Sequence, residues 1–168
     1  NLMSSTYRKY NDSAIPTKAK AGGSYINSFL ATSDAQRNGY DDALMFDDAG
    51  NVVEVSVANI ILVYRGQIII PDTGNAALEG ITVRSALELL EYNGYKINRG
   101  KIDRSMVFTA DELLVTGTAM KITYAESLDR RPIGQLDFNA KPEAGKFHKL
   151  LKSEYEKVIN GEHELSSE

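Results

Sequence analysis

Two uninterrupted apolar runs, NIILVY (59–64) and QIIIP (67–71), flank Arg65-Gly66 near the middle of the chain. Polar residues do not alternate through them, so the strands they form must be covered on both faces. A two-residue link with glycine second is the signature of a tight hairpin. Further short strands are predicted on either side. ALMF (43–46) and VVEVSV (52–57) are joined by a turn over DDAGN, and YKIN (95–98) forms another. LLVTG (113–117) and MKITYA (120–125) meet at Gly117-Thr118-Ala119.

Helices are predicted between these strands. The first spans 24–38, with Ile26, Phe29, Leu30 and Ala35 near one face and Asn38-Gly39 as its stop. The second starts at Thr82, a candidate N-cap, presents Ala86, Leu87, Leu89 and Leu90, and ends at Asn93-Gly94. A short helix and turn is read over 103–112. An amphipathic helix over 141–160 buries Phe147, Leu150, Leu151, Tyr155 and Val158, and 162–168 is a polar tail expected to fray. Residues 1–16 read as polar and loop-like. The alternation is not a clean succession of βαβ units, so the fold class is α/β or α+β.

The chain has 168 residues, enough for one domain with a real core. Its net charge of −4, with acids and bases interspersed, argues against a nucleic-acid partner. Without cysteine, disulfides and thiolate zinc sites are excluded. Neither a membrane-length apolar run nor a signal-peptide pattern is present, and a cytoplasmic home is the expectation. The first residue is Asn1, and the expectation is a fragment of a longer protein. The acidic pairs Asp41-Asp42 and Asp47-Asp48 lack calcium-loop spacing, and no metal site is expected.

Four pieces could carry chemistry. In PTKAKAGGSY, lysines stand just ahead of Gly22-Gly23. A lysine amine becomes nucleophilic when burial or a nearby cation lowers its pKa, whereas most lysines are simply solvated. LEGITVRSA opens a helix with free backbone N–H groups beside the Thr82 hydroxyl, a natural phosphate cradle when it is more than a plain cap. VTGTAMKIT presents Gly117, Thr118 and Ala119 between two strands, as a ligand-facing loop or an ordinary hairpin turn. Glu54 is a charge inside an apolar strand, either on the solvent face of an edge strand or paired with a cation.

In order and spacing these pieces resemble the fold-type IV pyridoxal-phosphate aminotransferases, most closely the branched-chain amino-acid aminotransferases. AIPTKAKAGGSYINSFLA resembles that family's lysine segment, I-P-x-x-A-K-A-G-G-N-Y-x-x-S, with Lys20 on the Schiff-base position. The likeness continues through NGYDDALMFDDAGNVVE, LEGITVRSALELL, FTADELLVTGTAMKIT and DRRPIG, and SSTYRKY is similar to the family's Ser-Ser-Trp-Arg-Arg. The resemblance implies the large domain alone, a mixed sheet or pseudobarrel with flanking helices. Residues 1–16 would hold the interdomain linker and the domain's start, 17–161 the cofactor-binding domain, and the N-terminal small domain would be missing.

The resemblance also implies roles. Lys20 would hold pyridoxal 5'-phosphate as a Schiff base and shuttle the proton. Tyr25 would bond the cofactor's phenolic oxygen and Glu54 the pyridine nitrogen. Gly80, Ile81 and Thr82 would hold the phosphate, with Thr118 adding a hydroxyl. Gly117, Thr118 and Ala119 would bind the substrate carboxylate. The implied partners are amino-acid and 2-oxo-acid substrates and, as the protein's own assembly, a homodimer or higher homo-oligomer. The implied reaction passes amino groups between branched-chain amino acids and 2-oxoglutarate. Three positions depart from the pattern. Glu54-Val55-Ser56-Val57-Ala58-Asn59 replaces Glu-Gly-x-Gly-Glu-Asn, Glu79 replaces a proline, and Met120 stands where a small residue is common, where it could narrow the pocket. Loss of the second glutamate is shared with aminodeoxychorismate lyases and D-amino-acid aminotransferases. These remain the alternative, beside an inactive large-domain fragment.

Overall fold

The computed structural model of the protein describes residues 1–72, 77–135 and 142–167. In chain order its strands are β1 (Leu2–Arg8), β2 (Asp42–Phe46), β3 (Val52–Val55), β4 (Asn59–Tyr64), β5 (Gln67–Pro71), β6 (Ile97–Gly100), β7 (Glu112–Gly117), β8 (Lys121–Tyr124), β9 (Ser127–Leu128) and β10 (Arg131–Pro132). The α-helices are α1 (Tyr25–Arg37), α2 (Ile81–Tyr92), α3 (Arg104–Phe108) and α4 (Lys146–Ile159). The strands make two mixed sheets, ordered β10-β9-β1-β2-β3 and β6-β5-β4-β7-β8.

The central hairpin forms as its sequence predicts. Arg65 (φ 51°) and Gly66 (φ 73°) both take the left-handed conformation that a tight two-residue turn needs. Asp111 steadies the turn by accepting the Gly66 N–H at 2.8 Å. The run NIILVY is buried on both faces because β4 lies between two cores. Ile60 and Leu62 pack toward the first sheet with Leu44, Phe46, Val55, Leu113 and Leu128. Ile61 and Val63 pack the other way, against Ala86, Leu89 and Leu90 of α2 and Phe147 and Leu151 of α4. Beyond the first sheet, Ala31 and Ala35 of α1 close over Ala43 and Met45. The layers therefore run α1, first sheet, second sheet, α2 with α4. Among the described residues, no helix is long and apolar enough to cross a membrane.

The structure departs from the sequence reading in several places. Residues 2–8, read as loop-like, form β1 at the centre of the first sheet, parallel to β2 and β9. Its side chains are mostly polar. Some of the order comes from Asp129, whose carboxylate takes the Ser4 N–H and hydroxyl at 2.7 Å each. The core face of α1 is Ser28, Ala31 and Ala35, not the larger residues. Ile26 (67% exposed) and Phe29 (71% exposed) point away from it, and Leu30 is exposed too. Small residues face inward because α1 lies close to β1 and β2. Thr82 is not an N-cap: Gly80 caps α2, and Thr82 is buried in the first turn. YKIN contributes only its end to β6, which begins at Ile97. The last helix starts at Lys146, where Glu112 of β7 caps it by accepting the Phe147 and His148 N–H groups at 2.9 Å each. Gly145 is required there, because a β-carbon would overlap the Glu112 carboxyl. The stretch read as a frayed tail folds back as a 3-10 turn over Glu164–Ser167, and Tyr92 donates to Glu164 at 2.8 Å. Lys141 and Glu168 of the predicted helix and tail lie outside the described residues.

Candidate active site

Glu54 is aimed by an irregularity in its strand. Phe46 pairs with Val52 but the next residue back, Met45, pairs with Glu54, so β3 carries one extra residue across that step. Such a bulge switches which face a side chain takes. Val52 belongs to the core between the sheets, and strict alternation would send Glu54 there as well. The extra residue turns Glu54 to the face of Met45, which is the α1 side.

There the carboxylate is buried and paired. β3 is an edge strand, yet Glu54 is only 4% exposed. Its Oε1 lies 2.5 Å from the ammonium of Lys9, which is 7% exposed. Burial pushes the Glu54 carboxyl above the ordinary carboxylate range, and the Lys9 charge opposes that shift. Lys9 follows β1 and is held in line by its own N–H, which donates to the Phe46 carbonyl at 2.8 Å. In sequence, Lys9 belongs to SSTYRKY, the stretch similar to the family's Ser-Ser-Trp-Arg-Arg, and the resemblance assigns it no role.

Asn59, the first residue of β4, ties Glu54 to the start of α2. Its Nδ2 donates to Glu54 Oε2 at 3.3 Å and to the Leu78 carbonyl at 2.8 Å. Its Oδ1 accepts the Gly80 N–H at 3.2 Å. A β-carbon on residue 80 would overlap that oxygen, so the approach requires glycine. Beyond Gly80, the first-turn N–H groups of α2 have no carbonyl one turn earlier to bond, and the positive end of the helix dipole lies there. Ile81 is exposed, and Thr82 lies beneath it.

The lysine segment closes the other side. Asp12 Oδ1 accepts the Thr17 N–H at 3.0 Å, and the Tyr10 hydroxyl donates to the Ser24 carbonyl at 3.3 Å. These anchors bracket a loop that carries Lys20 at the rim, exposed, and a 3-10 turn over Gly22–Ser24 that leads into Tyr25. A cleft of about 310 Å³ results, at the seam where β3 crosses to β4. Lys20, Tyr25, Glu54 and Gly80 all line it, as do Ile81, Thr82, Gly117 and Thr118. Of the predicted site residues, Ala119 alone stands outside the lining, exposed in the β7–β8 hairpin. Met120 is likewise exposed and outside the lining. Ala58 is buried and packs into the core between the sheets.

Among the cleft-wall residues that sequence reasoning missed are Lys9, Asn59, Ser56 and Thr116. The hydroxyls of Ser56 and Thr116 are buried with no hydrogen-bond partner among the described residues. An amine, a phenol, a buried carboxylate and a helix N-terminus thus converge on one cavity. That donor set fits a ligand with a carbonyl, a basic ring nitrogen and a phosphate.

Comparison with known proteins agrees. Residues 1–128 match the family model for amino-transferase class IV. A probable branched-chain-amino-acid aminotransferase of Aquifex aeolicus is 35% identical over 158 residues, 94% of this chain and 49% of that protein. The Pseudomonas aeruginosa branched-chain-amino-acid aminotransferase is 38% identical over 79% of this chain and 43% of its own length. Among solved structures, a T.th. branched-chain amino acid aminotransferase complexed with N-(5'-phosphopyridoxyl)-L-glutamate superposes with a TM-score of 0.89 at 34% identity. The match covers 98% of this chain and 52% of that one. The Escherichia coli branched-chain amino acid aminotransferase superposes at 0.90 with 30% identity, over 98% of this chain and 52% of that one. The chain spans about half the length of the relatives it matches. Its fold is that of the fold-type IV aminotransferase structures, and the chain belongs to the amino-transferase class IV family.

Proposed function

We propose that the cleft binds pyridoxal 5'-phosphate and that the complete protein transfers amino groups between branched-chain amino acids and 2-oxoglutarate. The observation that carries this reading is the convergence of Lys20, Tyr25, Glu54 and the α2 N-terminus on one cavity. Relatives whose structures hold phosphopyridoxyl and pyridoxamine 5'-phosphate ligands support it.

The bound cofactor would supply the electron sink for a negative charge at the substrate α-carbon. The chain's own residues do the rest. Lys20 would supply the amine that holds the cofactor, and its Nζ, once free, would be the base that moves the proton of the substrate α-carbon. Tyr25 orients the cofactor by a hydrogen bond to its phenolic oxygen. Glu54 accepts a hydrogen bond from the ring nitrogen and favours its protonated form. Gly80, Ile81 and Thr82 hold the phosphate with first-turn N–H groups and a hydroxyl, and Thr118 adds a second hydroxyl. Gly117 and Thr118, with Ala119 beside them, receive the substrate carboxylate.

A homodimer or higher homo-oligomer, implied by the resemblance, is supported by the apolar stripe of Ile26, Phe29 and Leu30, exposed on the helix that Tyr25 begins. One observation favours a second substrate reading: Ala58 stands in place of the family's second glutamate, as in aminodeoxychorismate lyase-like or D-amino-acid aminotransferase-like enzymes. A panel of L- and D-amino donors with 2-oxoglutarate, and of aminodeoxychorismate, separates the two. The first reading expects turnover of L-leucine, L-isoleucine and L-valine. Lys20→Ala abolishes that turnover, and substantial residual activity in the variant refutes the lysine assignment.

A further inference from the structure

The cofactor reading leaves one buried charge unused. Lys9 is 7% exposed and its ammonium meets Glu54 Oε1 at 2.5 Å. Burying two charges is costly, and removing one partner strands the other. A lysine that only needed to fill space on this face could be replaced by an apolar side chain of similar volume. Glu54 could then shed its own charge by taking a proton, as buried glutamates without a partner do.

The placement of the pair argues for more than packing. Lys9 and Glu54 both line the cleft. Lys9 occupies one carboxylate oxygen, and Asn59 contacts the other at a longer 3.3 Å. A carboxylate has about four lone-pair sites, so acceptor capacity remains for a ligand. The remaining titratable groups of the cleft are Tyr10, Lys20, Tyr25 and Glu79. Among the described residues, Lys9 is the one cation in ion-pair contact with Glu54. Its backbone bond to Phe46 and the approach of its ammonium to the Tyr10 ring, 5.5 Å from the centroid, fix its direction.

We propose that Lys9 is a positioning residue for the cofactor: its ammonium keeps the buried Glu54 ionised and oriented, as a ready acceptor for the ring nitrogen. The inference rests on the pyridoxal-phosphate reading above. It has a consequence in protons. In this proposal the contact of the Lys9 ammonium with Oε1 outweighs the burial that raises the Glu54 carboxyl, so Glu54 awaits the ring as a carboxylate, and the proton on the ring nitrogen comes from solvent when the ring arrives unprotonated. Without the Lys9 charge, Glu54 carries a proton beforehand. On binding, its O–H bond breaks and the ring N–H bond forms, with no proton drawn from solvent. Every other proton change on binding is common to both forms.

The test is calorimetric titration of pyridoxal phosphate into the full apoprotein near pH 7, in buffers of different ionisation enthalpy. This yields the protons taken up per site, independently of turnover. The variants are Lys9→Met, Lys9→Gln and Lys9→Arg. Lys9→Gln retains a donor for Oε1 without the charge, so it remains informative if Lys9→Met does not fold. The expected result is that Lys9→Gln and Lys9→Met take up about one proton fewer per site than the wild type, while Lys9→Arg follows the wild type. Equal uptake in all forms, with cofactor bound, overturns the role of Lys9 and leaves the cofactor reading standing. A wild type that binds no pyridoxal phosphate overturns both.

Discussion

Replacing Asn59 with alanine cuts a side chain that joins the carboxylate end of the cleft to its helix end. Three hydrogen bonds go: to Leu78 O at 2.8 Å, from Gly80 N at 3.2 Å and to Glu54 Oε2 at 3.3 Å. An ordinary protein hydrogen bond contributes about 0.5–1.5 kcal/mol net. The Leu78 bond is short, the other two are longer, and all three are partly buried, so a loss of about 2–3 kcal/mol is expected. At a urea m-value on the order of 2 kcal/mol per molar, the unfolding midpoint falls by roughly 1 M. Cofactor binding should weaken as well, because Gly80 and the first turn of α2 lose their tether to β4. Asn59→Asp is the sharper variant. It keeps an acceptor for Gly80 but loses both donor bonds and sets a second carboxylate beside Glu54, so it should bind cofactor less tightly than Asn59→Ala. Urea titration with and without pyridoxal phosphate measures both effects. A stability loss below about 0.5 kcal/mol, with unchanged cofactor affinity, would refute the bridging role.

Other perturbations have expected outcomes of their own. Glu54→Gln should leave the cofactor bound but slow the proton transfer at the substrate α-carbon; a rate unchanged in single-turnover measurements contradicts a carboxylate at the ring nitrogen. Glu112→Ala strips the cap from α4 and should cost about 2–3 kcal/mol, read by chemical denaturation. Stability should also fall on acidification below pH 6.5, the ordinary value for histidine, because burial depresses the His148 pKa. The folded state then binds fewer protons than the unfolded one, so stability is present above 6.5 and is lost as pH falls through the depressed value. Nearby Lys152 and Lys149 reinforce the depression, while Glu112 opposes it. His148→Phe should flatten that acid slope in thermal unfolding.

Much of the fold is legible where one physical effect dominates. The runs NIILVY and QIIIP suggest strands buried on both faces; β4 lies between two cores, and β5 sends Ile68 and Ile70 into one while Ile69 is half-buried against the other. Asn93-Gly94 ends α2 as read, with Gly94 at φ 79°. The reading fails where tertiary context overrides local pattern. β1 is a strand because β2 and β9 complete its hydrogen bonds, although LMSSTYR lacks an apolar alternation. On α1 the large apolar residues dominate the pattern, but close packing against β1 and β2 admits Ala31 and Ala35 instead. At the candidate site, motif order locates eight of the nine predicted residues around one cleft. Lys9 lies in the SSTYRKY stretch that the resemblance covers, but nothing local marks its pairing with Glu54. Its burial depends on a bulge in β3 that turns Glu54 toward it, and pairing register cannot be read from a single strand.

The most direct test of the central claim is borohydride reduction of the protein with pyridoxal phosphate, followed by proteolysis and mass mapping. The account predicts a single stable phosphopyridoxyl adduct, on Lys20 and not on the neighbouring Lys18 or the buried Lys9, and its loss in Lys20→Ala. An adduct on either other lysine, or none at all, would contradict it.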